Sequence, residues 1–278
     1  SCMDDKTAAG HLRQARQFLE WVKVVLIDQI IEPGDAVCHL YCGQGADMGK
    51  FERAELSSYV GVDPFSACTT AAKQIWEKRG KNFLADFKTL DPCKGTLADV
   101  AGGLTFDNVV CFGKIQLSFD SRSNADHFLS NVAAHLKPGG YFFGFLPDSS
   151  AIWRMAKPRT SQEGSESLQV KHDMFKISFQ TTTPQPFDSK YTFALSDGKP
   201  AQQYHLVHFG SLAEIAAKHG LKVVEIVNLQ DFYQTFKLLY KPKLRELNVL
   251  GRDGKLSDHQ TAVIGLYASF VLQKDAAT

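Results

Sequence analysis

Two glycines and two acids stand where a parallel sheet can hold a nucleotide-like ligand. Gly43 and Gly45 belong to a short turn that follows an apolar run, and Asp63 and Asp86 each close a later apolar run. Glycines let the backbone approach a ligand closely. A carboxylate at the end of the second strand can accept both ribose hydroxyls of an adenosine. Asp86, with Phe87 beside it, suits the adenine amino group and ring face, so the pattern predicts an adenosine-containing cofactor.

The elements that must position these residues alternate along the chain. Apolar runs typical of strands occupy 36–40, 59–63, 82–86, 106–112, 141–146, 222–227 and 263–272, and helical periodicity occupies much of the sequence between them. This alternation predicts an α/β fold with a doubly wound, mostly parallel sheet. Ligands bind beyond the carboxyl ends of such strands. Residues 41–45, Asp63, Asp86 and Phe112 are therefore expected around one crevice, preceded by a helix over 8–31.

An insertion interrupts this alternation at about 157–208. Its beginning, 159–166, is polar, and short β segments are predicted at 174–179, 191–195 and 205–209. We expect helices at 211–219 and 232–247, the second interrupted by Pro242. The insertion is too small for an independent domain, so the prediction is one domain over 1–278 that carries a small β insertion.

The composition narrows the class of protein. Of the 278 residues, 44% are hydrophobic and 22% charged, and the net charge is +1. These values are ordinary for a soluble globular protein and provide no overall basic field for nucleic acid. The six cysteines form no CxxC pair, which favours reduced intracellular thiols. No run is long enough for a membrane span and no metal-ligand spacing occurs, so we expect no membrane association and no metal.

Two cofactor classes share the turn and the first acid. A dinucleotide site usually has the longer GxGxxG turn, whereas Asp47 and Met48 follow the short turn here. The helix stop Lys137-Pro-Gly-Gly140 before an apolar strand resembles the turn before the fifth strand of class I methyltransferases. S-adenosylmethionine is therefore favoured over a dinucleotide.

Several segments together resemble the mRNA cap guanine-N7 methyltransferases through nearly the full chain. They are Phe18-Leu-Glu-Trp-Val-Lys-Val-Val-Leu-Ile27, Cys42-Gly-Gln-Gly-Ala-Asp47, Leu136-Lys-Pro-Gly-Gly-Tyr-Phe-Phe-Gly144, Pro147-Asp-Ser149, Leu206-Val-His-Phe209, Leu229-Gln-Asp-Phe-Tyr233 and Leu266-Tyr-Ala-Ser-Phe270. The helix with Trp21 and Lys23 is the more discriminating element, because generic methyltransferases lack it. Ile115-Gln-Leu-Ser-Phe119 and Ser149-Ser-Ala-Ile-Trp153 resemble a divergent, plant-like second branch.

The resemblance implies a seven-stranded Rossmann-like methyltransferase sheet with an antiparallel C-terminal edge strand, and a lid made by the insertion. It implies S-adenosylmethionine as cofactor, S-adenosylhomocysteine as product, 5′-capped RNA as partner and a nuclear location. The residues implied to bind the cofactor are Lys23, Tyr41, Cys42, Gly43, Gly45, Asp63, Asp86 and Phe112. Those implied on the substrate side are Lys50, Gln116, Tyr204 and Tyr267.

The chain also departs from the family pattern. His39 stands where the first strand of the family ends in an acid, Tyr41 where a glycine is expected, and Gln44 where a basic residue is expected. Gln116 and Leu117 replace a His-Tyr pair, and the family glutamate that grips guanine falls near Tyr204. Lys50 matches a residue directed at the cap phosphates, although a solvated helix face is an equal alternative.

Methylation of guanine N7 needs no general base, because this nitrogen already carries an available lone pair. We therefore expect no catalytic acid, base or nucleophile, only proximity and orientation in a water-poor pocket. Three hypotheses remain open from the sequence. They are an active cap guanine-N7 methyltransferase, a methyltransferase on another substrate, and a non-catalytic relative that acts as partner or regulator of a protein the sequence does not identify.

Overall fold

The computed structural model describes residues 5–156 and 168–276 of the chain. They divide into two compact units. Among the described residues, the first unit comprises 5–23, 147–156, 168–211 and 227–269, and the second comprises 24–146, 212–226 and 270–276. The organisation of 1–278 as a single domain stays a prediction. The polar stretch 159–166 lies outside the described residues.

Eleven strands are defined in the described residues. In chain order they are β1 (Ala36–Leu40), β2 (Ser58–Asp63), β3 (Leu84–Thr89), β4 (Phe106–Phe112), β5 (Leu136–Pro147), β6 (Gln169–His172), β7 (Phe175–Phe179), β8 (Lys190–Leu195), β9 (Gln202–His205), β10 (Leu221–Asn228) and β11 (Tyr267–Lys274).

Helices occupy most of the connections between these strands. In chain order they are α1 (Asp5–Ile30), α2 (Met48–Arg53), α3 (Ser66–Lys78), α4 (Ala98–Ala101), α5 (Arg122–His135), α6 (Ser149–Met155), α7 (Phe209–Lys218), α8 (Leu229–Phe236), α9 (Lys241–Glu246) and α10 (Asp258–Ile264). A 3-10 helix runs over Ile115–Asp120.

The main sheet has seven strands in the order β10-β11-β5-β4-β1-β2-β3. β1 pairs in parallel with both β2 and β4, so its carboxyl end lies between theirs, inside the sheet. The strand order reverses at β1, which is the position where ligands bind in open α/β sheets. The predicted doubly wound, mostly parallel sheet with an antiparallel C-terminal strand is confirmed. One detail is wrong, because the C-terminal strand β11 lies between β5 and β10 and not at the edge.

The inserted segment forms a second sheet with the antiparallel order β6-β7-β8-β9. One face of this sheet packs in an apolar cluster of the first unit that includes Leu12 and Ala15 of α1 and Met174, Ile177 and Tyr191 of the insertion. α1 is further anchored in this unit by Trp21, which is fully buried and donates from Nε1 to the Tyr240 carbonyl at 3.2 Å. This packing gives the small sheet a core to cover.

Several element boundaries differ from the sequence predictions. β9 covers 202–205 and α7 begins at Phe209, so the strand expected at 205–209 is wrong. Residues 263 and 264 end α10, so the last strand begins at Tyr267. The helix expected at 232–247 is two helices, α8 and α9, with Pro242 in the first turn of α9, where its missing N–H costs nothing. β3 runs three residues further than expected, to Thr89.

No helix in the described part of the chain is long and apolar enough to cross a membrane.

The centre of the main sheet permits a sharp test of the packing. A Cβ added at Gly144 in β5 would overlap the Cys111 carbonyl oxygen of the neighbouring strand β4. Gly144→Ala must displace that backbone and should lower the free energy of unfolding by about 3 kcal/mol or more. Gly10→Ala is the matched control, because nothing lies within 4 Å of its added Cβ in α1. It should stabilise the helix by about 0.5–1 kcal/mol. Urea denaturation measures both, and equal effects would contradict the packing.

Candidate functional site

The turn after β1 is built from residues in the left-handed backbone region. Tyr41, Gly43 and Gly45 have φ values of 58°, 58° and 85°. A Cβ added at Gly45 would lie 2.8 Å from the Ala72 Cα, so the glycine is required for the turn to pack against α3. Beside Gly43 no atom of the described residues lies within 4 Å of an added Cβ. The turn is therefore packed on one side and open on the other, where a ligand can approach the backbone.

Asp63 closes β2, as the sequence predicted, and holds this turn. Its Oδ2 accepts from the Gly43 N–H at 3.0 Å and its Oδ1 accepts from the Phe65 N–H at 3.0 Å. The side chain is buried, with 5% of the residue exposed. The Cys68 thiol also bonds to this carboxylate. A carboxylate has about four acceptor positions, so about one remains for a hydroxyl donor. That Asp63 binds the ribose stays a prediction, and the remaining acceptor capacity of the carboxylate is compatible with it.

Tyr41 fastens the loop that follows β3. Its hydroxyl donates to the Asp91 Oδ1 at 3.1 Å and contacts the Cys93 Sγ at 3.0 Å. Burial raises the pKa of the Tyr41 hydroxyl far above its usual value, so the group remains a neutral donor. A non-glycine residue in the left-handed region costs about 1 kcal/mol or more. The two contacts offset this cost, which explains how a tyrosine occupies the expected glycine position.

Asp86 does not end its strand, and that part of the sequence prediction is wrong. It pairs with Val60 in the middle of β3, whereas Asp63 pairs with Thr89. Three residues of strand, about 10 Å, separate the two levels. The Asp86 side chain is exposed and forms an ion pair with the Lys88 Nζ at 2.7 Å. The prediction placed the end of β3 three residues too early. β3 is an edge strand in which polar and apolar residues are mixed, so its apolar residues alone do not show where it ends.

Asp91 is the acid beyond the carboxyl end of β3, and the sequence reasoning missed it. It lies two residues after Thr89 and accepts from both the Tyr41 hydroxyl and the Cys93 N–H. The sequence does show a second acid five residues after Asp86. It could be recognised as the strand-end acid only if the end of β3 was placed correctly, at Thr89.

His39 and Phe112 form an aromatic floor at the ends of β1 and β4. The His39 ring is buried, with 2% of the residue exposed, and its Nδ1 lies 3.0 Å from the Tyr59 hydroxyl. Its centroid lies 5.2 Å from that of Phe51 and 5.6 Å from that of Phe112. Phe112 also stacks on Phe145 at 5.6 Å. Where the family pattern has an acid, this chain has an imidazole packed among aromatic rings.

Cys42 contributes backbone and not reactivity. Its N–H donates to the Val62 carbonyl at 3.0 Å, which fixes the turn to the end of β2. Burial raises the pKa of its thiol to about 12. The thiol is therefore protonated at neutral pH and is not a nucleophile.

The two predicted substrate residues of the second unit have different surroundings. The Lys50 Nζ lies 2.8 Å from the Asp47 Oδ1, and the two side chains are only 11% and 8% exposed. A solvated helix face is therefore the wrong description of Lys50. Gln116 is 3% exposed and donates from Nε2 to the Gly113 carbonyl at 2.7 Å. Its Oε1 is buried without a hydrogen-bond partner among the described residues, so it can accept from a ligand.

Tyr204 and Tyr267 lie in the first unit, against its apolar cluster. The Tyr204 ring centroid lies 5.8 Å from that of Tyr191, which is buried. Burial raises the pKa of Tyr267 to about 12, and the nearby Arg16 guanidinium offsets part of that rise. The structure therefore brings together the two tyrosines that the sequence placed 63 positions apart.

Lys23 also belongs to the first unit, at the point where α1 leaves it. Its Nζ lies 2.8 Å from the Glu20 Oε1, and its side chain is 13% exposed. The remaining candidates, from Tyr41 to Gln116, belong to the second unit. Within the described ranges no group of three or more His, Cys, Asp or Glu residues can hold a metal ion.

Comparison with known proteins adds a sequence family to this geometry. The family model for the mRNA (guanine-N(7))-methyltransferase domain matches residues 4–275. The chain is 33% identical over 266 residues to mRNA cap guanine-N(7) methyltransferase 2 of Oryza sativa subsp. japonica, covering 92% of this chain and 78% of that protein. It is 32% identical over 274 residues to the Arabidopsis thaliana protein of the same description, covering 93% and 77%. The predicted resemblance is confirmed.

A solved structure supports the fold alone. The glycopeptide N-methyltransferase MtfA, solved in complex with S-adenosylmethionine, has a TM-score of 0.52 and 13% identity. The match covers 90% of this chain and 85% of that one.

The bonds of Asp63 generate a test of the turn. Asp63→Asn replaces an acceptor oxygen by an NH₂ group that faces a backbone N–H, so one buried donor loses its partner. We expect the free energy of unfolding to fall by about 2–3 kcal/mol. The affinity for S-adenosylmethionine should fall with it. Denaturation and calorimetry measure the two quantities, and wild-type values for both would show that neither the turn nor the ribose depends on this carboxylate.

Three buried thiols generate a pH prediction. Burial raises the pKa of Cys42, Cys93 and Cys111 from 9.0 to about 12 each. Between these values the unfolded chain has lost thiol protons that the folded chain retains. Stability is therefore complete below pH 9 and falls as the pH rises, by at most about 1.4 kcal/mol per pH unit for each thiol. Cys93→Ala should make this decline shallower in denaturant titrations from neutral to alkaline pH, and an unchanged slope would contradict the assignment.

Proposed function

Since this chain belongs to the mRNA (guanine-N7)-methyltransferase family, we propose that it methylates N7 of the 5′-terminal guanine of capped RNA. The methyl donor is S-adenosylmethionine. The observation that carries the proposal is the family match over residues 4–275, which includes the turn, Asp63 and both guanine-side tyrosines.

The chemistry explains why the site needs no catalytic acid or base. Guanine N7 carries a lone pair in the plane of the ring, and S-adenosylmethionine supplies an electrophilic methyl group when bound. No proton has to leave the nucleophile. The task of the chain is to bind both molecules, align them and exclude water. A site with buried aromatic walls, such as that formed by His39 against Phe112, suits this task.

On the cofactor side, we assign the ribose hydroxyls to Asp63 and the methionine and ribose contacts to the backbone of residues 41–45. Asp63 retains acceptor capacity beyond its two backbone bonds and its bond to the Cys68 thiol. We assign the adenosine end to Asp91 in place of Asp86, because Asp91 follows the end of β3 and is fixed by Tyr41. Phe112 provides an apolar surface, and Lys23 is assigned to the methionine carboxylate by family resemblance.

On the guanine side, the family glutamate is replaced by Tyr204. A neutral acceptor elsewhere can compensate for this replacement, and the buried Gln116 Oε1 has that character. We assign it to a guanine N–H donor. Tyr267 is assigned to stacking on the guanine base. We assign the Lys50 ammonium group, which lies 2.8 Å from the Asp47 Oδ1, to the cap phosphates by family resemblance.

The same family role supports two further proposals about the setting. The substrate is RNA that carries a 5′ cap, so the protein binds RNA. Capping acts on newly made transcripts, so we propose a nuclear location.

The role of Tyr267 can be tested with cap analogues. Tyr267→Ala should weaken binding of GpppG about tenfold or more, because a stacked base contributes about 1–3 kcal/mol. The affinity for S-adenosylmethionine should not change. Tyr267→Phe keeps the ring and serves as the matched control, with nearly normal binding. Equal losses of affinity for both ligands would indicate general unfolding and would count against the assignment.

Methyl transfer itself is measured on GpppA and GpppA-capped RNA, with detection of N7-methylguanine in the product. We expect turnover with the wild-type chain. Binding of S-adenosylmethionine without any transfer would instead support the non-catalytic hypothesis.

A further inference from the structure

A cavity in the first unit lies apart from every residue assigned above. It has a volume of about 480 Å³ and lies between α1 and the loop that follows α9. Its lining residues are polar or basic, apart from one leucine and one glycine, and include no acid: they are Arg13, Gln14, Gln17, Asn248, Leu250, Gly251 and Arg252. A cavity of this composition presents donors and positive charge to whatever enters it.

Two guanidinium groups dominate its charge. Arg13 and Arg252 are exposed, and neither has an ion pair with any residue in the two described ranges. Their neighbour Arg16, by contrast, pairs with Asp197 at 2.6 Å. Asp253 follows Arg252 in sequence, but its Oδ1 accepts from the Lys255 N–H at 3.1 Å within its own turn. Paired guanidinium forks match the oxygens of a phosphate group.

The third feature is an acceptor that needs a donor. The Gln17 Oε1 is buried and makes no hydrogen bond to any residue described. A buried amide oxygen without a partner costs free energy that a ligand hydroxyl would recover. A phosphate diester offers the arginines their acceptors but offers Gln17 no donor. A ribose with a free 2′-hydroxyl adds that donor.

The cavity residues on α1 lie beside Arg16, which is near the proposed guanine-binding residue Tyr267. Arg13 and Gln17 lie one turn apart on α1, and Arg16 lies between them in sequence. Arg16 is close enough to Tyr267 to influence the pKa of its hydroxyl. Arg13 and Arg16 differ by only about 4.5 Å along the helix axis. An RNA chain whose terminal guanine contacts Tyr267 therefore has this cavity within reach of its next nucleotides.

We propose that this cavity binds a ribose–phosphate unit of the RNA that follows the cap, with Arg13 and Arg252 on the phosphate and the Gln17 Oε1 on the 2′-hydroxyl. The inference rests on the proposed function insofar as RNA is the substrate. It predicts that the enzyme distinguishes capped RNA from the cap dinucleotide, and RNA from DNA.

The first experiment compares the double variant Arg13→Gln/Arg252→Gln with wild type on two substrates. With GpppA-capped single-stranded RNA, KM should rise about tenfold, because charge-assisted bonds to the phosphate are removed. With GpppA alone, KM and kcat should not change. The slope of log Kd against log salt for uncapped RNA of the same sequence should fall by about 0.7 for each phosphate that the variant no longer neutralises.

Arg245→Gln is the matched control. Arg245 is an exposed arginine of the same unit, on α9, and does not line the cavity. It should leave both KM values and the salt slope near wild type. If the control and the double variant had equal effects, the loss of positive charge alone would explain them, and the proposal would be overturned. No effect of the double variant would overturn it as well.

The second experiment concerns Gln17. Gln17→Met removes the buried amide while keeping the length and apolar stem of the side chain. We expect the preference for RNA over DNA of the same sequence to disappear, while the Tm stays equal or rises because an unsatisfied polar atom is removed. A retained preference for RNA would overturn the assignment of the 2′-hydroxyl.

Two further outcomes distinguish the cavity from the methylation site. Inorganic phosphate or poly-glutamate that competes with RNA at equal charge concentration would show a general anion site and overturn the RNA assignment. Absence of methyl transfer to GpppA by the wild-type chain would overturn the proposed function. Binding of uncapped RNA measures the cavity independently of that activity.

Discussion

The carboxylate of Asp63 accepts hydrogen bonds from the N–H groups of Gly43 and Phe65, which belong to the loops after β1 and β2. These loops leave neighbouring parallel strands, so without a common acceptor each would set its position independently. The buried carboxylate gives both loops one reference point. Cys42 adds a backbone bond to β2, and Gly45 packs against α3. A ligand at this sheet edge therefore meets a turn whose shape is fixed before binding, which is the condition for alignment without rearrangement.

Around Asp63 the chain has aromatic residues, His39 and Tyr41, where the family pattern has an acid and a glycine. His39 packs against Phe51, Tyr59 and Phe112 where the family pattern has an acid. Tyr41 occupies a glycine position and uses its hydroxyl to hold Asp91. The histidine thus replaces a carboxylate beside the turn by a ring that packs among other rings. A reaction that removes no proton from its nucleophile tolerates such exchanges, because it depends on distance and direction more than on a particular titrating group.

The residues that we propose for substrate recognition belong to both units. The second unit offers a buried, unsatisfied amide oxygen in Gln116 and a largely buried ion pair in Lys50 and Asp47. The first unit offers the aromatic pair Tyr204 and Tyr267 and, along the same helix α1, a basic cavity with a second unsatisfied amide oxygen. Unsatisfied buried acceptors are few in native proteins. The amide oxygens of Gln17 and Gln116 are two such acceptors, and each could accept a hydrogen bond from a bound ligand.

Local patterns along the chain were enough to identify the family, the position of the glycine turn, Asp63 at the end of β2 and the bounds of β1 and β4. A central strand is an apolar run flanked by Gly or Pro, so its bounds can be predicted from its own residues, without knowledge of the strands beside it. Three others became visible only in the folded chain: Asp91 and not Asp86 follows β3, β11 lies inside the sheet, and Lys50 is paired with Asp47. Strand register, strand order and ion pairing depend on what each segment packs against, and a mixed edge strand such as β3 carries too few apolar residues to encode its own end.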